Sequence, residues 1–481
     1  MEPLISQQTG FVLLAVFGLV TLIASVYARK LFGGKDVDGF LLAGRKASWL
    51  YGGTSIAAAW TWSIALMISV QLAYQNGFAG IFWFVIPNIL AVLIFIWIAP
   101  TIRKKLPNGY SLPEWISKRY GNKKVTTFYL IVFFYYQIMA IAMQIYAGGY
   151  LFSIATGGNK YLMMAIILFI VLIYTLVSGF KASLLTDLIQ YSLLIIIGFI
   201  VSYSLLHSLH FNLNFSGVYN KGSTNPFSPS ILFSSGIIMT ISLLSASIGD
   251  QQFWQRSFAI SEKALKKSFI LGAVLFGIVP ITLSFIGFVG AYHSNTFVLP
   301  KDFDMSLIGF VIVKNYSSTL IAFAFLTALL SGLSSTLDSA LSATSSLYKM
   351  VIAKSWDHES IVGDTNFRIK DGRFIMIVCG LFGLGLAFFV TYIQFDLKYF
   401  WWSLNTLTSV IVAPTLLSIF SKGTSARGVL TGITLSVIIG IPTFVYGNLM
   451  HNDFIIAISY VLIVSLSFIG CQLFKNKDNG R

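Results

Sequence analysis

The sequence predicts an all-α polytopic membrane protein with about thirteen transmembrane helices. Of its 481 residues, 56% are hydrophobic and only 10% are charged, with a mean hydropathy of +0.80. Ordinary globular chains carry about 25% charged residues. Apolar windows of roughly 20 residues, long enough to cross a bilayer as helices, recur along the whole chain. These windows are too long and continuous for the alternating strands of a membrane barrel.

The predicted helices are joined by short loops, and nothing suggests a second folded domain. We therefore expect a single membrane domain over residues 1–481. We expect the first helix to be permanent, because Thr9–Ala28 lacks a basic leader and a small-residue cleavage site. The predicted spans are 9–28, 50–75, 80–101, 126–156, 160–178, 183–206, 229–250, 268–292, 318–350, 374–394, 399–420, 425–447 and 452–474.

Lysine and arginine residues fall mainly on one side of the predicted helices. With the N-terminus outside and the C-terminus in the cytoplasm, twenty-seven of the 32 basic residues lie in cytoplasmic segments, as the positive-inside rule requires. The net charge of +15 therefore reflects topology and not nucleic-acid binding. The chain carries no nucleophile–base or metal-ligand motif, so we do not expect an enzyme. It also carries no ATPase motif, so uphill transport would draw on an ion gradient.

The second and seventh spans are predicted to be broken helices. The second begins with Gly52 and Gly53 and reaches Trp60-Thr61-Trp62, a composition unsuited to a smooth helix. The seventh carries Phe233-Ser-Ser-Gly236 and ends at Ser247-Ile-Gly-Asp250. Secondary transporters break helices near the bilayer midplane to expose backbone groups, although small residues can instead serve close helix packing. Two interrupted helices five spans apart fit an inverted five-plus-five repeat.

The ninth span carries hydroxyl groups on one helical face beside a carboxylate. Asp338 lies about 16 Å from the cytoplasmic end of this span, and an acid at that depth indicates an ion or proton pathway. Oxygen ligands suit a small hard cation such as sodium. The alternative is packing, because membrane serines often hydrogen-bond to the preceding turn. The face consists of Ser331, Ser335, Ser339, Ser342 and Ser346, flanked by Thr336.

A second acid, Asp187, stands near the predicted start of the sixth span. Its position favours an N-cap close to the cytoplasmic surface, where a carboxylate stabilises the helix dipole. The alternative interpretation is an inner waystation for the cation.

Five segments of the chain resemble the sodium/solute symporter family, which includes sodium–glucose, sodium–proline and urea/polyamine transporters. The resemblance implies a LeuT-type fold with a ten-helix core in residues 50–420. Residues 1–49 would hold the first helix and a cytoplasmic loop, and residues 421–481 two further helices and a short tail. The five segments, in family order, are Phe40–Arg45, Ser111–Gly121, Gly179–Gln190, Asp250–Arg256 and Ser334–Ser339.

The resemblance implies a sodium site between the broken second helix and the ninth. Carried over by position, the ligands are the backbone carbonyls of Ala58, Thr61 and Gly332 and the hydroxyls of Ser335 and Thr336. Sodium would act here as the coupling ion.

Some family members hold a second sodium nearer the cytoplasm. Here that site would use Asp187 and Ser339, with Asp338 replacing a hydroxyl of the relatives. The additional acid either strengthens a cation site or creates a proton site, and the resemblance leaves both open.

The solute region looks most like the urea/polyamine branch, through Trp60 and Trp62. Their aromatic faces suit a flat neutral amide by stacking, or an amine by cation–π attraction. The alternative for these tryptophans is anchoring at the membrane interface. Further polar candidates for the pocket, from the fourth, eleventh and seventh spans, are Gln137, Gln144, Asn405, Ser234, Ser235 and Gly236.

Together these features predict a secondary active transporter of the plasma membrane. It would couple sodium entry to symport of a small polar solute, such as urea, a polyamine or an amino acid, by alternating access. The expected partners are the solute, sodium and the lipid bilayer. The alternatives are a proton-coupled symporter using Asp338 or Asp187 and, from another class, a membrane solute sensor or a downhill channel.

Overall fold

The computed structural model describes residues 3–31, 36–211, 218–219, 225–294, 299, 303–352, 367–393 and 404–475. Within these ranges the regular structure is helical, and β-type pairing is limited to two isolated bridges, Ala47 with Ile260 and Thr424 with Lys475. The all-α class predicted from the sequence is confirmed.

The helices of the described ranges are short where the chain turns and long where it is apolar. In chain order they are α1 (Gln7–Leu31), α2 (Val37–Leu42), α3 (Trp49–Trp60), α4 (Ser63–Leu93), α5 (Phe95–Lys105), α6 (Leu112–Tyr120), α7 (Lys123–Thr156), α8 (Lys160–Ser178), α9 (Phe180–Ser208), α10 (Pro229–Ile231), α11 (Ile237–Gly249), α12 (Gln251–Ala259), α13 (Leu265–Tyr292), α14 (Ile308–Tyr316), α15 (Thr319–Ile352), α16 (Ile369–Tyr392), α17 (Val412–Phe420), α18 (Ala426–Leu435), α19 (Ile441–Leu449) and α20 (Asp453–Leu473).

Eleven helical segments in the described ranges are long and apolar enough to cross a membrane. A further apolar helical segment, Leu404–Phe420, coincides with the described part of the predicted span 399–420. The polytopic class is therefore confirmed, while the number of crossings and their orientation stay predictions. In α7 and α15, 72% of the most apolar window is buried, against 39% in α1 and α16. The first pair consequently forms the centre of the bundle and the second pair its periphery.

The continuous helix α4 includes parts of two predicted spans, 50–75 and 80–101, and Gly77 lies between them. Its backbone has φ 56° and ψ −136°, a conformation that L residues rarely adopt. An ideal Cβ on Gly80 would lie 2.5 Å from the carbonyl oxygen of Leu72, although eight residues of straight helix would separate them by about 12 Å. The chain therefore reverses at Gly77, between the predicted spans 50–75 and 80–101.

The second predicted span is broken, and the seventh is not broken where we expected it. Between α3 and α4, Thr61 (φ −89°, ψ 74°) and Trp62 (φ −65°, ψ 150°) leave the helical region. Leu232–Gly236 instead forms a π-helical segment with helical dihedrals at its ends. A π turn keeps backbone hydrogen bonds intact. An ideal Cβ on Gly236 would come within 2.9 Å of Trp83, so the small residue serves close packing.

We predict that Gly179→Ala destabilises the protein. Gly179, between α8 and α9, has φ 60° and ψ −137°, and a Cβ there would lie 2.6 Å from the Phe40 carbonyl oxygen. Such backbone strain costs about 1–3 kcal/mol in a non-glycine residue. Thermal unfolding of the purified variant in detergent should therefore show a lower midpoint.

The matched control is Gly385→Ala in α16, where a Cβ would meet no atom within 4 Å. This change should be neutral or stabilise by up to about 1 kcal/mol. Equal midpoints for the two variants would show that Gly179 is not constrained in the way described.

Candidate ion and solute site

The break between α3 and α4 is supported by a side chain from α7. Gln144 accepts hydrogen bonds through Oε1 from the backbone N–H of Ser63, at 3.3 Å, and from the Ser63 hydroxyl, at 2.7 Å. The first N–H groups of a helix have no partner within it, so Gln144 satisfies one of those left by the break. Gln144 was predicted to bind solute, and the structure places it in this supporting position.

Five oxygen atoms from α3, its broken end and α15 form one buried cluster. The Ser335 hydroxyl lies 2.9 Å from the carbonyl oxygen of Gly332 and 3.3 Å from that of Ala58. The Thr336 hydroxyl lies 3.4 Å from the Ala58 carbonyl, 3.5 Å from the Thr61 carbonyl and 3.3 Å from the Gly332 carbonyl. The structure thus brings together all five residues that the sequence analysis named as sodium ligands.

The chemistry of this oxygen cluster is that of a site for a hard cation. Its oxygen atoms belong to three backbone carbonyls and two hydroxyls, and hard cations are bound by oxygen ligands of these kinds. Ser335 is 1% exposed and Thr336 is fully buried. Because the ligands come from both helices, an ion held here would tie α3 to α15.

A second polar cluster surrounds Asp338, one turn farther along α15. Its carboxylate accepts hydrogen bonds from the hydroxyls of Tyr174 (2.8 Å), Ser183 (2.9 Å) and Thr186 (3.1 Å). The Ser183 hydroxyl also lies 3.0 Å from that of Ser339. Ser339 of α15 also donates to this carboxylate, at 3.3 Å. The acid is therefore held by hydroxyl groups from three helices, α8, α9 and α15.

Asp187 lies in the same cluster, and the N-cap interpretation of this residue is wrong. Helix α9 begins at Phe180, three residues before the predicted start, so Asp187 falls in its third turn and is fully buried. Its Oδ2 accepts from the hydroxyls of Ser55 at 2.5 Å and Ser183 at 3.2 Å. Ser183 therefore bridges the two acids.

Arg256 supplies a cation to this cluster. Its guanidinium donates to Asp187 at 3.2 Å, to the Ser339 hydroxyl at 2.7 Å and to the Ser55 hydroxyl at 3.0 Å. Arg256 is 1% exposed. With both carboxylates ionised, this buried cluster holds two negative charges against one positive charge.

A cavity beside the break has aromatic walls. It contains about 370 Å³ of space not filled by atoms, part of it open to solvent. The indole N–H groups of Trp60 and Trp62 have no hydrogen-bond partner in the part of the chain that the structure describes. The cavity wall thus combines aromatic rings with two buried indole N–H groups that lack a partner. Its lining residues are Trp60, Trp62, Ala65, Phe84, Asn88, Tyr136, Leu243 and Ala246.

The other residues predicted to bind solute do not line this cavity. Ser234, Ser235 and Gly236 lie in the π-helical segment, at least seven residues before Leu243, the first cavity residue of that helix. Gln137 donates to Asp250 at 2.9 Å. The buried amide of Asn405 has no hydrogen-bond partner among the described residues. Of the residues predicted to bind solute, Trp60 and Trp62 therefore line this cavity, together with Asn88 and Tyr136, and the others lie outside it.

The side of the break that faces the basic loops is closed by packing. Trp60 contacts Phe253 of α12 edge to face, with ring centroids 4.9 Å apart. Gln251, also on α12, donates to the Tyr110 carbonyl at 2.8 Å. The backbone N–H of Tyr110 donates to Glu114 of α6. Burial raises the pKa of Glu114 to about 7, although Lys349 and Arg45 oppose that shift. In this conformation Asp187 and Asp338 have no exposure to solvent.

Sequence reasoning missed Arg256 and the hydroxyls around Asp338. The segment Asp250–Arg256 was identified as a family marker with a gating or loop-packing role, without an ionic role for Arg256. The available signal was charge balance, since two acids buried in a membrane protein require a compensating cation or proton. Only three-dimensional contacts identify Arg256 as that cation, because its partner Asp187 lies 69 residues away in sequence.

Comparisons with known proteins agree on one family. Residues 40–436 match the sequence profile described as the sodium:solute symporter family. The probable urea active transporter 1 of Schizosaccharomyces pombe is 23% identical over 472 residues, covering 92% of this chain and 70% of that protein. The urea-proton symporter DUR3 of Oryza sativa subsp. japonica is 23% identical over 481 residues, with 92% and 66% covered. The chain thus spans about two thirds of the length of these relatives.

Solved structures give the same architecture. A Na⁺-coupled sialic acid symporter in a substrate-bound outward-open state superposes with a TM-score of 0.80 at 20% identity, covering 97% of this chain and 98% of that one. Mhp1, a nucleobase-cation-symport-1 family transporter in a closed conformation, gives a TM-score of 0.54 at 14% identity, with 90% and 93% covered. The LeuT-type fold expected from the sequence is confirmed.

Proposed function

The chain belongs to the sodium:solute symporter family, and on that premise we propose that it couples sodium entry to symport of a small polar solute by alternating access. The observation that carries this proposal is the oxygen cluster between α3 and α15, in which Ser335 and Thr336 meet three backbone carbonyls. The whole chain forms the transport domain, and the membrane is that of the cell surface.

The proposed coupling of ion and solute binding follows from the two helices, α3 and α15, that supply the oxygen atoms of the cluster. An ion bound between the broken helix and α15 favours conformations in which the two helices stay together and loses ligands when they separate. The tryptophans of the solute cavity occupy positions 60 and 62, on either side of the ion ligand Thr61. Ion binding and solute binding therefore act on the same three residues of backbone, which gives a coupling free energy between the two sites.

The solute we propose is a small neutral amide such as urea. The indole N–H groups of Trp60 and Trp62 are free to donate to a carbonyl oxygen, and their rings can stack on a planar group. A carboxylate does not line the cavity in the described part of the chain, so an amine would rely on cation–π attraction alone. The named relatives of this chain include urea transporters.

Counterflow in proteoliposomes tests the solute class. With sodium present, we expect exchange of labelled urea or a related amide to exceed exchange of amino acids, polyamines, sugars and carboxylates. Trp60→Phe removes one donor but keeps an aromatic ring, so the half-saturating solute concentration should rise about fivefold, the effect of one lost hydrogen bond.

The matched control for that variant is Trp97→Phe, because the Trp97 side chain is 63% exposed on the outer surface of the bundle. It should leave exchange unchanged. Exchange of a charged solute in preference to every amide would contradict the proposed solute class.

The double variant Ser335→Ala with Thr336→Ala tests the sodium site. Losing two of the five oxygens should raise the sodium concentration for half-maximal uptake about tenfold or more. The amount of protein in the membrane should stay the same. The measurement is initial uptake rate against sodium concentration in proteoliposomes.

Ser331→Ala is the control for this double variant, since the Ser331 hydroxyl donates to the Thr327 carbonyl of its own helix at 3.0 Å. It removes a hydroxyl one turn from the site and should preserve the sodium requirement. If the double variant and the control gave the same sodium dependence, the oxygen cluster would not be the coupling site.

A second candidate function, proton-coupled symport, is favoured by the cluster around Asp338. Two buried carboxylates lie there with one guanidinium, which pairs with Asp187, and Ser183 links the two acids. Binding a single proton would therefore make the cluster neutral. One named relative is a urea-proton symporter.

Asp338→Asn distinguishes the two candidate functions. If sodium is the coupling ion, uptake by the variant keeps its sodium dependence and ignores an imposed pH gradient. If protons drive transport, the wild type takes up solute with choline in place of sodium, and Asp338→Asn abolishes the response to the pH gradient. Asp338→Ser, which restores the hydroxyl of the relatives, provides a second substitution that lacks the titratable group.

A further inference from the structure

A second cavity opens at the basic face, away from the ion and solute sites. It contains about 360 Å³ of space not filled by atoms, part of it open to solvent. It lies where α1 and α8 end and where α2, α9 and α16 begin. We call it the basic cavity. Its lining includes Arg29, Asp36, Phe40, Ser178, Lys181 and Arg373.

The charge of the basic cavity favours an anion. Its lining contains three cationic side chains and one acid. Lys181 is only 3% exposed, and Arg29 makes no ion pair within 4 Å among the described residues. Helix ends of both signs meet beside the cavity, because α9 and α16 start there and α1 and α8 end there, so its positive charge comes from the side chains.

One of the three cations is fixed in place by the helix ends. Arg373 donates through Nε to the Leu176 carbonyl at 2.8 Å and lies over the Phe40 ring, 5.8 Å from its centroid. The Leu176 carbonyl belongs to the last turn of α8, which has no intrahelical donor left. Arg373 therefore presents its charge at a preset position, and a ligand would not have to order this side chain.

The surroundings of the basic cavity are apolar and face outward. Tyr27 and Leu31 of α1 are 59% and 46% exposed, and Phe374 and Ile377 of α16 are 58% and 38% exposed. On a membrane helix such surfaces contact acyl chains. The cavity thus lies where the bundle passes from hydrocarbon to headgroups, and a phosphate there would have its lipid tails beside these residues.

We propose that the basic cavity binds the phosphate headgroup of an anionic phospholipid. Basic pockets between membrane helices recognise such headgroups. The adjoining lipid-facing surface favours a phospholipid over a free phosphate ion. The bound lipid would join α1, α8, α9 and α16 at the basic face. The inference depends on this geometry and not on the transported solute.

Lipid retention tests the proposal. The full chain is reconstituted in nanodiscs of phosphatidylcholine mixed with phosphatidylglycerol, and retained lipid is counted by native mass spectrometry. The wild type should keep phosphatidylglycerol preferentially. Arg29→Gln should weaken that preference about fivefold, and Arg29→Gln with Lys181→Gln about twenty-fivefold.

The matched control is Lys30→Gln with Lys370→Gln, which removes two exposed cations from the same face outside the cavity. It should retain the lipid as the wild type does. Because Arg29 is exposed, Arg29→Gln alone allows lipid retention to be measured even if the Lys181 variant fails to fold. Equal retention in Arg29→Gln, the control and the wild type would overturn the proposal.

Added inorganic phosphate tests whether the basic cavity binds a free phosphate ion instead of a phospholipid headgroup. In nanodiscs of phosphatidylcholine alone, added phosphate should not raise the thermal stability of the wild type, whereas phosphatidylglycerol should raise it. Stabilisation by free phosphate to the same extent would show an ion site and overturn the assignment to a lipid.

Discussion

In a bilayer no water is available to a broken helix, so every freed backbone group must find a partner in the protein or in a ligand. The junction between α3 and α4 meets this constraint from two sides. Gln144 of α7 takes the first N–H of α4, and the hydroxyls of Ser335 and Thr336 on α15 approach the freed carbonyls. The break therefore requires α7 and α15 beside it, and these are among the most buried helices of the bundle.

The charged cluster obeys the same constraint with larger energies. A single buried charge is strongly unfavourable, and removing one partner of a buried pair typically costs about 3–5 kcal/mol. Asp187, Asp338 and Arg256 come from α9, α15 and α12, and Ser55 of α3 joins them through hydrogen bonds. Four separate elements are thus held at one point, one turn from the oxygen cluster.

Much of this architecture was predictable from the sequence, because apolar length and basic loops are strong signals. The predicted spans 50–75 and 80–101 are separate because Gly77 reverses the chain. The resemblance to the family located Ala58, Thr61, Gly332, Ser335 and Thr336 by position, and the structure brings them together.

The errors arose where local sequence has two physical outcomes. Ser234-Ser235-Gly236 permits an unwound helix or a π-helical turn, and the structure has the second, with Gly236 packed against Trp83. Asp187 suits an N-cap or a buried pair, and its role depended on a helix start only three residues earlier than predicted. Arg256 acquires its role from distant partners, which no local pattern reveals.

Helix α12 carries Arg256 into the charged cluster and Phe253 against Trp60, so one short element both closes the basic side and neutralises buried acid. Moving α12 outward would take the cation away from Asp187 in a low-dielectric interior. Opening the basic side by moving α12 would thus change the charge balance of the buried cluster as well as the packing. An outward movement of α12 would therefore leave a buried carboxylate unpaired unless a metal ion or a proton replaced the guanidinium.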